Sequence, residues 1–241
     1  MTRNTHRRSS RADRRYDIDE VTPGRFVVRD LRAAPLLKTE GDLEGRLFTL
    51  HSQRRDGLLA RLRERGLRVR TLDDRIRTLP RLPHPPVPGA GAWQPLPPDE
   101  RWSVFDPSHL DWIPATVEDR DGQAMVFVHA GQIVRRRRGR RAPAYALVEP
   151  GAGLRTIDET AALLLGYAQA APAIPALQAR RDGERIVLPL HPLPPPHHAF
   201  LRGLAETRRD GLAIEHRAWM LAQAVYASLG VRLELAGHDS S

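Results

Sequence analysis

Six arginines and a glycine fill seven consecutive positions, Arg135-Arg136-Arg137-Arg138-Gly139-Arg140-Arg141. Like charges packed this densely repel one another, and a polyanion relieves them best. Guanidinium groups also bind phosphate through two parallel hydrogen bonds and stack on bases. The chemistry these residues suit is a grip on a nucleic-acid backbone, DNA or RNA. Arg135, Arg136, Arg137, Arg138, Arg140 and Arg141 are therefore the candidate nucleic-acid-binding residues. Base stacking finds less support, because Tyr145 is the one aromatic close by in sequence and strand alternation can bury it.

A second constellation is histidine. His191, His197 and His198 surround a proline-rich turn, and Glu215-His216 follows downstream. Such a set could bind a metal or supply acid–base catalysis near neutral pH. The spacing argues against both, since neighbours on a helix point about 100° apart and no His-x-x-x-His or His-Glu-x-x-His pattern occurs. Asp73-Asp74 and the set Glu118, Asp119 and Asp121 could in principle hold magnesium. Both groups sit beside turn signals, where aspartate bonds to the local backbone. Phosphate-binding loops, the dinucleotide fingerprint and the Gly-x-Ser-x-Gly elbow are missing. No catalytic residue, cofactor or metal is assigned.

Charge is unevenly placed along the 241 residues. Residues 1–80 carry 20 basic and 12 acidic side chains, residues 81–141 carry 9 and 7, and residues 142–241 carry 9 and 10. Without the six arginines of the run, the middle region is acidic, so the run is a local cationic spike. Lys38 is the only lysine, a bias that a GC-rich genome produces without function. Cysteine is absent, which excludes disulfides, thiolate zinc sites and cysteine nucleophiles and suits a reducing, cytoplasmic setting. No apolar stretch reaches the roughly 18 residues of a membrane span, so no membrane partner is expected.

These residues need elements to position them. Residues 1–22 lack apolar periodicity and read as a disordered basic arm able to lie along phosphates. A small α+β unit is expected over 23–79. It runs from a strand at Arg25–Arg29 through a helical segment carrying Leu43, Leu47, Leu50, Leu58 and Leu62, ended by Gly66, to a strand over Leu67–Thr71. Arg61, Arg63, Arg65, Arg68 and Arg70 could form a second anion-binding face, or a solvated face that complements the helix dipole. Residues 80–99, rich in proline and glycine, read as a linker or extended strap.

Residues 100–236 read as a second unit, with 237–241 a tail. Trp102–Phe105 and Trp112-Ile113 seed its core. Antiparallel strands follow over Ala115–Glu118, Gln123–Ala130, Gln132–Arg137 and Ala142–Glu149, with Asp121-Gly122 and Gly131 as turns. This meander puts the arginine run at a hairpin tip. Thr156-Ile-Asp-Glu159 reads as a capping box for a helix holding Leu163, Leu164 and Tyr167. A hairpin turning at Arg181-Asp-Gly-Glu184 comes next, then a helix opening at Pro195 or Pro196. A longer helix with Ile214, Ala218, Leu221, Val225 and Leu229 on one face ends at Gly230, before a closing strand over Val231–Leu235.

The fold class expected is α+β in two small units, an N-terminal strand–helix–strand unit and a C-terminal antiparallel meander with helices packed on it. The function expected is that of a non-catalytic nucleic-acid-binding subunit or accessory factor, anchored by the arginine hairpin. Two alternatives stand beside it. One is a small metal-independent ribonuclease using His197, His198 or His216. The other is an adaptor of a larger protein complex, docking through the proline-rich strap.

Overall fold

The computed structural model describes residues 16–51, 54–151, 153–170, 176–209 and 211–236. Most of the expected arm (1–15) and the tail (237–241) lie outside them. The chain divides into two units, 1–78 and 79–241, and its architecture is α+β with mostly antiparallel sheets.

In the first unit, β1 (Ile18–Thr22) and β2 (Arg25–Val28) form a hairpin through Pro23-Gly24, with Gly24 at a φ of 73°. A second hairpin joins β3 (Gly41–Glu44) to β4 (Leu47–Leu50), and β5 (Val69–Arg70) runs parallel to β1, in the order β3-β4-β2-β1-β5. Helices α1 (Ala34–Leu37), α2 (Arg55–Glu64) and α3 (Leu72–Arg77) complete the unit. Its core joins Ile18, Phe26 and Val28 to Phe48, Leu58 and Leu62.

Two expectations fail here. Residues 18–22 belong to a central strand and not to an arm. Their apolar alternation is masked because Asp19 and Glu20 are buried, a position carboxylates hold only when paired. Leu43, Leu47 and Leu50 lie on β3 and β4, with only Leu58 and Leu62 of the five on a helix. The turn at Gly45 (φ 60°) breaks the helical register, and Phe48 is buried where Leu47 faces solvent. Gly66, at a φ of 75°, follows the end of α2.

The second unit begins with the proline-rich strap, which is bound into it and is not a free linker. Gly89 N–H donates to the Ala130 carbonyl (3.0 Å), Ala130 N–H donates to Ala90 (3.1 Å), and Gly91–Pro95 forms β6. Next come β7 (Glu100–Asp106), β8 (Asp111–Pro114), β9 (Val117–Arg120), β10 (Gln123–His129), β11 (Ile133–Arg138), β12 (Ala144–Val148) and β13 (Leu154–Ile157). The expected meander is distributed over two sheets. One has the order β6-β10-β9 and the other the order β13-β12-β11-β7-β8. Gly131 (φ 86°) is where the chain passes between them, and its N–H donates to Val148 (2.8 Å). Val126 and Val128 of β10 share a core with Trp102, Val104, Val134, Ala146 and Val148.

Helix α4 (Glu159–Ala170) packs on β11 and β12. Its cap is Asp158, whose carboxylate accepts the Ala161 N–H at 2.7 Å, whereas Thr156 sits in β13 opposite Ala146. The remaining elements are β14 (Leu177–Asp182), β15 (Arg185–Leu188), α5 (Pro195–Leu204), β16 (Ala205–Arg208), β17 (Gly211–Glu215), α6 (Trp219–Ala227) and β18 (Leu233–Leu235). The strands form a sheet in the order β16-β17-β15-β14-β18. Ile214 is thus in a strand, paired with Ile186 and Ala205, and the long helix expected around it reduces to α6. Residues 211–214 are buried continuously, as suits an interior strand with α5 packed against it. Among the described residues no helix is long and apolar enough to cross a membrane.

Candidate nucleic-acid interface

Four of the six arginines lie within β11 and not at a hairpin tip, because β11 pairs with β7 from Val134 out to Arg138, opposite Glu100. Only Gly139 to Pro143 connect β11 to β12. Alternation then separates the side chains. Arg135 and Arg137 share one face with Arg101 and Ser103 of β7, Arg137 lying opposite Arg101 and Arg135 opposite Ser103. These four residues, with Pro98 and Asp99, line a groove of about 780 Å³ that Gly139 and Pro143 close at the turn.

Neighbours on the same sheet hold Arg135. Its guanidinium lies 4.9 Å from the Trp112 ring centroid, and that ring lies 5.7 Å from Tyr145 and edge-on to Phe105 at 5.3 Å. Such cation–π contact leaves the cation charged while fixing its plane. Tyr145 is buried and donates its hydroxyl to Glu159 at 2.8 Å. Burial, reinforced by that carboxylate, pushes its pKa up to about 12, so it takes no part in proton transfer near neutrality.

The other arginines of the run differ. Arg136 faces away, 5.6 Å from Trp102, with a buried Nε that has no hydrogen-bond partner among the described residues. Arg138 pairs with Asp99 and holds that carboxyl below the usual carboxylate range. Arg140 and Arg141 are exposed in the turn. Arg101 and Arg137 are also exposed, and neither has a carboxylate within ion-pair distance among the described residues. Like charges directly opposite on antiparallel strands destabilise the pairing.

Sequence reasoning missed Arg101, Ser103 and Trp112. A tryptophan placed in the core and an arginine outside the run carry no local sign of this neighbourhood, which the β7–β11 pairing creates.

Four of the five arginines of the second set are occupied within their own unit, and Arg65 is exposed. Arg68 pairs with Asp17 (3.0 Å) and Arg70 with Asp19 (2.6 Å), while Arg61 pairs with Glu40 and Arg63 lies 3.9 Å from Asp74. Asp74 also completes a capping box with Thr71, and Asp73 reaches Arg55 at 3.2 Å. Asp119 accepts the Gly122 N–H at 2.9 Å within its turn.

His197 is fully buried on α5, and neither ring nitrogen has a partner among the described residues. Burial pushes its pKa down to about 4, leaving a neutral imidazole cut off from solvent and unsuited to acid–base work. His198 and His216 are exposed, and His191 is half-buried with its pKa lowered by burial. Among the described residues no group of three or more histidines and carboxylates could hold a metal ion. Comparison with known proteins finds no family model, no curated protein and no solved structure that matches the chain.

Proposed function

We propose that this protein is a non-catalytic nucleic-acid-binding subunit or accessory factor, working in the cytoplasm, that holds the phosphate backbone on the arginine face of β11. The observation that carries the reading is the register pair Arg101–Arg137. Two exposed cations stand opposite each other beside Arg135 in one groove, with no carboxylate within ion-pair distance of either among the described residues. Folding alone gains nothing from that arrangement, whereas a bridging phosphate relieves the repulsion and gains charge-assisted hydrogen bonds. Asp99, the carboxylate of the groove, is already taken by Arg138.

The substitution Arg101→Glu tests this without confusing binding with folding. It sets opposite charges in register, so the melting temperature holds or rises. Affinity for oligonucleotides should fall at least about tenfold, and the log–log salt slope should lose roughly 0.7–0.9 for each phosphate contact removed. An unchanged affinity and slope would take the groove out of the site.

A further inference from the structure

We infer that the occupant of this groove is single-stranded nucleic acid, its phosphates on Arg101 and Arg137 and a base laid against the Arg135 guanidinium. The inference rests on the backbone-binding reading above and adds to it the form of the strand.

The first support is shape. Arg135 and Ser103 are half-buried at the floor of a concave groove, while Arg101 and Arg137 are exposed. A duplex is a stiff convex rod whose phosphates lie on its outside, so it can reach the exposed pair but cannot descend to the floor. A single strand bends at each nucleotide and can lower a base into the groove. The volume, about 780 Å³, falls within the roughly 300–1,000 Å³ range of sites that enclose a drug-sized ligand, room for about one or two nucleotides.

The second support is the chemistry of the floor. Proteins that take single strands combine a cationic track with flat π or guanidinium surfaces on which bases stack. The Trp112 ring, its centroid 4.9 Å from the Arg135 guanidinium, holds that guanidinium by cation–π contact, and Trp112 is itself braced by Phe105 and Tyr145. Ser103, opposite Arg135, adds a hydroxyl that can donate or accept, which suits the varied edges of an unpaired base. In a duplex those edges and faces are already paired and stacked.

The test uses the full chain and fluorescence anisotropy. Labelled oligothymidylate and oligouridylate twelve nucleotides long are compared with a mixed-sequence duplex of the same length at matched salt. Either single strand should bind at least about tenfold more tightly than the duplex. Arg135→Lys keeps the charge but not the plane, so it should weaken single-strand binding about fivefold or more while leaving the salt slope unchanged. Equal or tighter binding of the duplex overturns the single-strand inference and leaves the proposed function standing. An Arg135→Lys chain that binds single strands like the parent removes Arg135 as the stacking surface. Absence of binding to all three probes removes both readings.

Discussion

Replacing Glu20 by alanine should remove a large share of the stability of the first unit. The carboxylate is fully buried and accepts from Arg55 through Nε (2.8 Å) and Nη2 (2.6 Å) and from the Leu72 N–H (3.1 Å) that opens α3. Losing one partner of a buried ion pair costs about 3–5 kcal/mol, because the other charge is left uncompensated. Arg55 keeps Asp73 at 3.2 Å and some access to solvent, which places its share at the lower end. The Leu72 amide, left without an acceptor, adds about 1–3 kcal/mol. The expected total is about 4 kcal/mol. A unit of 78 residues has on the order of 4–12 kcal/mol in all, at about 0.05–0.15 kcal/mol per residue. Native-state hydrogen exchange at Phe26 and Val28, in the neighbouring strand, reads the effect within the full chain. At about 1.4 kcal/mol per decade, protection should fall by two to three orders of magnitude. Glu20→Gln, which keeps an acceptor for Leu72, should lose less. A fall below about fivefold for Glu20→Ala would show that solvent screens the pair and that β1 does not depend on it.

Two further outcomes test the helical side of the second unit. His197 stays neutral in the folded chain down to about pH 4 but protonates near 6.5 when unfolded, so stability is fully present above pH 6.5 and is lost as pH falls toward 4. Chemical denaturation across that window should show a loss of up to about 3 kcal/mol, absent in His197→Leu, and an equal slope in both proteins would refute the assignment. Gly166 sits on α4 where an added Cβ would stand 2.6 Å from the Phe105 ring. Gly166→Ala should therefore destabilise the unit by about 1–3 kcal/mol in thermal unfolding, and a neutral result would mean that α4 does not press on β7.

The α+β class was legible in the residues alone, as were those features whose physics closes within a few residues. Asp121-Gly122, Gly66 and Gly183 turn where positive φ is needed, and the hairpins around Asp121-Gly122 and Asp182-Gly183 follow from short alternating runs beside such turns. The cationic spike was equally plain, since charge density needs no fold to be counted. The remaining features depend on partners far along the chain. β1 is a strand whose carboxylates are buried only because Arg55 and Arg70 reach them from 35 and 51 residues away. Ile214 became a strand residue because β15 and β16 flank it. The sorting of the arginine run was decided in the same way. Pairing of β11 with β7 turned six equivalent cations into groove, rim and paired residues, and brought Arg101 and Trp112 beside them. Strand pairing is set by contacts that local pattern cannot encode, and a shift of one residue would have exchanged the faces of Arg135 and Arg136.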